Sequence, residues 1–113
     1  MSDAREMRKV ALERELRRIV DILIHQRHPH RIILFGSMAR GEVHEWSDID
    51  LAVVLDTDKR IYDRIGELLE ICDPHLAVEF IVYTPEEFEE MAANEPFVRR
   101  EIIERGRVLY EAA

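Results

Sequence analysis

The sequence predicts an α/β (α+β) protein, a mixed or parallel sheet of about four strands with helices packed on it. Three observations predict this. Short apolar runs of strand length recur at RIILFG (31–36), DIDLAVVL (48–55) and HLAVEFIVY (75–83). Charged segments with apolar residues at helical spacing lie before, between and after them. Prolines, glycines and capping residues fall at the joints between the two kinds of segment. No repeat, low-complexity stretch or Gly/Ser-rich linker divides the 113 residues, so 1–113 is expected to be one domain with a single modest core.

Each element has its own justification. Residues 3–27 read as an amphipathic helix, because Leu12, Leu16, Ile19 and Leu23 recur at four-three-four spacing among arginines and glutamates, and Pro29 ends it. The run 31–36 is a buried strand, followed by a turn and short helix at SMARG, the polar loop GEVHEW and a second strand over 48–55. Residues 58–72 are helical with Ile61, Ile65, Leu68, Leu69 and Cys72 on one face, and Asp73-Pro74 stops them. The third strand spans 75–83. Thr84-Pro85-Glu86-Glu87 is a capping box with proline at the first helical position, so a helix starts there. Pro96 breaks it, a further turn or two runs through Phe97, Ile102 and Ile103 to Gly106, and RVLYE closes the chain as a short strand.

Composition excludes several classes of function. Hydrophobic residues make up 47% and charged residues 35%, as in an ordered globular chain. The formal net charge of -8 argues against direct nucleic-acid binding, which relies on dense Lys and Arg. Cys72 is the only cysteine, so no internal disulfide forms, and within LLEIC it is expected to be a small buried hydrophobe. The charged N-terminus lacks an apolar leader and no stretch approaches membrane-spanning length, so the expectation is a cytoplasmic protein with no membrane partner.

The segment ILFGSMARGEVHEWSDIDLAVV (33–54) carries the chemistry. Strand side chains alternate, so Asp48 and Asp50 point the same way, about 7 Å apart at their Cα atoms from a rise of roughly 3.3 Å per residue. Two carboxylates that close resist joint ionisation unless a cation lies between them. Upstream, Gly36 lets the backbone turn sharply out of the first strand, and Ser37 falls where a helix N-cap would offer amides and a hydroxyl to a phosphate. Arg40, one turn later, is placed to add a charge-assisted contact to the same phosphates. Glu79 sits in the apolar run LAVEFIVY, where an unpaired ionised group would be costly; it either pairs with an arginine at a strand edge or joins Asp48 and Asp50 around a cation.

Gly36-Ser37, ten intervening residues and Asp48-Ile49-Asp50 resemble the GSx10DxD motif of the DNA polymerase β-type nucleotidyltransferases. The string GSMARGEVHEWSDIDLAVV is similar to the minimal nucleotidyltransferase (MNT) branch, and the likeness extends to the terminal GRVLYE. The resemblance implies a nucleotidyltransferase fold with a mixed sheet and Mg²⁺-dependent transfer of a nucleoside monophosphate from an NTP. It makes Asp48 and Asp50 catalytic metal ligands for two Mg²⁺ ions, Glu79 the third acid where the family more often has Asp, and Gly36 and Ser37 the holders of the β- and γ-phosphates. MNT proteins of this size resemble the antitoxins of HEPN/MNT toxin–antitoxin pairs. That implies ATP as donor and, as partner and acceptor, a tyrosine of a HEPN-type toxin encoded nearby. The alternatives are a small-molecule acceptor, or a non-catalytic antitoxin that acts by binding its partner.

Other residues in the chain invite weaker readings. Ser47 either positions its loop or touches the nucleotide phosphates, and Trp46 is expected to anchor the loop to the core in preference to stacking on a base. His25, His28 and His30 straddle the end of the first helix and are expected to be solvated instead of converging on a metal. Arg14, Arg17 and Arg18 read as a solvated helix face.

Overall fold

The computed structural model describes residues 3–113. Helix α1 (Ala4–Arg27) leads into strand β1 (Arg31–Phe35), a single-turn helix α2 (Gly36–Ala39) and strand β2 (Ile49–Val54). Helix α3 (Ile61–Cys72), strand β3 (Val78–Tyr83), helix α4 (Pro85–Asn94), a π-helix (Val98–Glu104) and strand β4 (Arg107–Glu111) complete the chain. The strands form one sheet in the order β3-β2-β1-β4. β1 is antiparallel to both β2 and β4, and β2 is parallel to β3, so the sheet is mixed.

Strand alternation divides the core between the two faces of this sheet. On one face Leu12, Leu16, Ile19 and Leu23 of α1 and Leu68 and Cys72 of α3 pack on Ile32, Leu34, Leu51, Val53, Phe80 and Val82. On the other, Phe88 of α4 and Val98 and Ile102 of the π-helix pack on Ile33, Phe35, Ala52 and Val54. Helices cover both faces, which is why β1 and β2 read as nearly unbroken apolar runs. Cys72 is buried and its thiol is pushed up to about 11, chiefly by burial, as suits an inert core residue.

Two buried charged residues tie the helices to the sheet. Glu15 is 5% exposed and accepts hydrogen bonds from Arg18 and from the backbone N–H groups of His75 (2.5 Å) and Leu76 (3.3 Å). Arg18 also donates to the carbonyl of Asp73. Together they fix the segment 73–76 as a connector, so β3 begins at Val78, three residues later than its apolar run predicts. Arg64, 7% exposed, donates to both carboxylate oxygens of Glu87 and to the carbonyls of Lys59 and Val82. This turns α3 so that Arg64 is buried, while Ile61 and Leu69, expected on the buried face, lie exposed.

The signals at the joints hold. His28 and Asp73 end α1 and α3 in left-handed conformations, and Thr84 and Glu87 form the reciprocal capping box. The last helical segment is a π-helix, and a Cβ on Gly106 would collide with the carbonyl of Ile102 and lie 2.8 Å from Ile33 Cγ2. Close packing, and not a left-handed turn, therefore requires glycine at that end.

Arg18 first, then the N–H groups of His75 and Leu76, hold the Glu15 carboxyl down at about 2 against the opposing effect of its burial, from an ordinary 4.5. A lowered folded value stabilises the fold above the unfolded pKa, and that contribution is lost as pH falls through the folded one. Glu15→Gln is expected to cost about 3 kcal/mol at pH 7 in urea unfolding, and its deficit should close as pH falls from about 4.5 towards about 2. A deficit unchanged across that window would show that the carboxylate charge is irrelevant to the connector.

Candidate active site

The strand registers set the geometry. Phe35 of β1 pairs with Asp50 of β2, and Asp50 pairs with Glu79 of β3. Residues paired across neighbouring strands share a face, so Phe35, Asp50 and Glu79 form a row across three strands. The row lies on the face that carries α4 and the π-helix, since Phe35 and Ala52 belong to that core. Phe88, near the start of α4, sits at the opposite end of the face, near Tyr83 and Arg31. Asp48 lies just before β2, two residues from Asp50.

Crowding shows in the electrostatics. Asp50 is half-buried, and its carboxyl is pushed up to about 6 by burial first and then by the charges of Asp48 and Glu79, with Arg40 pulling the other way. Glu79 is exposed. Glu79 escapes the desolvation penalty expected for it because it stands near the start of an edge strand, and Asp50, on an inner strand, bears one instead.

Gly36 makes the approach possible. Its φ is +78°, a left-handed conformation that favours glycine, and a Cβ there would collide with the Asp50 carboxylate and lie 3.1 Å from its Cγ. Asp50 thus occupies space that only glycine leaves open. Helix α2 begins at Gly36 itself, with Phe35 in the N-cap position, so Ser37 is the second helical residue and is not the N-cap that its spacing suggested. The chain bends one residue earlier because the positive φ of Gly36 makes the turn. The carbonyls of Gly36 and Ser37 accept from the amides of Arg40 (3.3 Å) and Glu42 (2.9 Å).

The remaining candidates are placed as follows. Arg40 donates to Glu42 (3.2 Å) and to Glu101 of the π-helix (3.1 Å), close enough to Asp50 to influence its carboxyl. Ser47 is buried; its hydroxyl accepts from the His44 amide (2.8 Å) and its carbonyl from Arg8 Nε (3.0 Å), so here it holds the loop to itself and to α1. Trp46 is 80% exposed and does not anchor the loop to the core: Ser47 and Arg8 do that, freeing the indole. The histidines disperse, His25 to the Asp21 carbonyl, His30 to Asp56 and His28 to the helix cap. Arg14 and Arg17 lie exposed as expected, whereas Arg18 is bound to Glu15. Glu101, Arg8 and the Phe35–Asp50 pairing had no local signal, because each depends on partners distant in the chain.

Asp48, Asp50 and Glu79 are an all-oxygen donor set of the kind hard divalent cations take, and a cation would relieve the charge crowded on Asp50. They do not make a closed cage. Among the described residues no three His, Cys, Asp or Glu side chains are drawn together closely enough to hold a metal ion. Waters or phosphate oxygens, which magnesium usually keeps, would complete the coordination.

Gly36→Ala is expected to lower stability by about 1–2 kcal/mol in urea unfolding, from the left-handed backbone alone. It should also shift the Asp50 side-chain signals in NMR spectra. An alanine variant with unchanged stability and unchanged Asp50 resonances would contradict the close approach.

Three comparisons bear on this geometry. Residues 14–109 match the family described as Nucleotidyltransferase domain. Over 85 residues the chain is 39% identical to a "putative protein adenylyltransferase" of Methanocaldococcus jannaschii, covering 71% of this chain and 77% of that one. The fold superposes on that of a "putative nucleotidyltransferase" of Sulfolobus solfataricus with a TM-score of 0.70 at 17% identity, covering 98% of this chain and 90% of the other. It also matches a crystal structure of a toxin–antitoxin with AMP-PNP, with a TM-score of 0.52 at 22% identity over 85% and 73% of the two chains. The row of acids beside a glycine bend thus sits in a known frame, and this chain belongs to the nucleotidyltransferase domain family.

Proposed function

We propose that this nucleotidyltransferase transfers AMP from ATP to a protein hydroxyl, that of a tyrosine on a HEPN-type toxin encoded nearby, and so acts as an antitoxin. The observation that carries the reading is the shared row of Asp50 and Glu79, with Asp48 beside it, at the open end of the sheet next to Gly36. The description of the M. jannaschii relative as a protein adenylyltransferase, and the toxin–antitoxin with AMP-PNP among similar folds, support the choice of donor and partner.

In this reading Gly36 and Ser37 hold the β- and γ-phosphates, and Arg40 exchanges Glu101 and Glu42 for phosphate oxygens. Ser47 keeps the loop before Asp48 in place and so acts on the nucleotide only through that aspartate. Asp48, Asp50 and Glu79 would hold Mg²⁺, which supplies charge neutralisation and polarises the α-phosphate when bound. The acceptor oxygen attacks the α-phosphorus, its proton passes to the carboxylate of Glu79 or Asp50, and the bond to the β-phosphate oxygen breaks to release pyrophosphate. No helix among the described residues is long and apolar enough to cross a membrane.

The experiment is incubation of α-labelled ATP and Mg²⁺ with the purified chain and the HEPN-type protein encoded beside it. Label is expected on a tyrosine of the partner, and Asp48→Ala with Asp50→Ala should reduce transfer by about 100-fold or more. Equal labelling by the double variant, or label appearing only on a small molecule, would overturn the reading.

A further inference from the structure

Two large aromatic side chains lie exposed near the carboxylates, Trp46 in the loop before Asp48 and Phe97 just before the π-helix. They differ in how they are connected. Phe97 packs its ring edge-on against Phe35, at 6.0 Å between centroids and 89° between planes. Phe35 is the strand partner of Asp50 and lies in the same row. Phe35 is buried, whereas Phe97 is 52% exposed, so the pair presents one ring to solvent from a fixed base beside the row. Four residues further along, Glu101 holds Arg40, which follows the Gly36–Ser37 bend by one turn. The π-helix therefore joins the phosphate side of the site to the aromatic one.

We infer that Phe97 is the platform on which the nucleobase of the donor triphosphate stacks. This rests on the nucleotidyl-transfer reading and adds the residue that meets the base. A half-exposed ring already fixed by an edge-to-face contact loses little freedom on binding, and every base offers a flat face to it. Discrimination among bases by such a platform is weak, because stacking needs no hydrogen-bond partner on the base edge. Among the described residues Trp46 rests on no core aromatic, and its one ring neighbour is the exposed His44 at 6.3 Å.

The test measures binding calorimetrically with Mg²⁺ and two probes, ATP and inorganic tripolyphosphate, which has no base. Phe97→Ala is expected to weaken ATP about tenfold and leave tripolyphosphate unchanged, while Phe97→Tyr and Phe97→Trp restore ATP binding. Thermal melts check that the variants fold. GTP and CTP should lose affinity in Phe97→Ala by similar factors. Equal weakening of both probes would show that Phe97 acts on the phosphates or the fold, and would overturn the inference. So would unchanged ATP binding in Phe97→Ala, or a loss confined to Trp46→Ala; in those cases nucleotidyl transfer itself stands. Absence of ATP binding by the native chain would overturn both readings together.

Discussion

The site depends on holding an aspartate where its charge is unwelcome. Asp50 is fixed by the β1–β2 register on one side and the β2–β3 register on the other, so its Cβ cannot leave the face it shares with Glu79 without breaking ladder hydrogen bonds. Burial and two neighbouring acids then push its carboxyl to about 6. Gly36 yields the remaining space. Electrostatic repulsion is thereby built into the backbone pairing, and the core on both faces of the sheet supplies the energy that keeps it there.

The polar ties elsewhere serve the same alignment. Glu15 and Arg18 fix the connector that leads into β3, and so set where Glu79 falls along the strand. A slip of one residue in that register would send Glu79 to the face packed by α1 and α3. Arg64 joins α3, the Val82 carbonyl and the start of α4, and so secures β3 at the edge of the sheet. Arg8, reaching the Ser47 carbonyl from α1, does the corresponding work for the loop ahead of Asp48.

Much of this was legible in the sequence, for physical reasons. Short apolar runs located the strands and helical-period patterns the long helices, and the capping box at Thr84–Glu87 stood out because its bonds are local. Gly36, Asp48 and Asp50 were found together because one strand–turn–strand segment carries all three. What failed was long-range. The sequence could not show that Arg64 would be buried in place of Ile61, that Ser47 would hold its loop and leave Trp46 free, or that α2 would start at Gly36 and not after Ser37. The first is decided by Val82 and Glu87, 18 and 23 residues away, the second by Arg8, 39 residues away, together with a local bond to His44, and the third by a backbone angle with no side-chain signature.

The unequal environments of the acids suit a division of labour. Asp50 is half-buried, with its backbone paired on both sides, which suits a fixed ligand. Glu79 is exposed on the outer strand, and its extra methylene carries the carboxylate further from the sheet. In the proposed function an acceptor hydroxyl on another protein would approach from the Glu79 side, because α1 and α3 fill the opposite face and the π-helix flanks Phe35. On this reading the glutamate reaches outward to an acceptor that the small chain does not itself enclose. Its length is matched to its place at the edge.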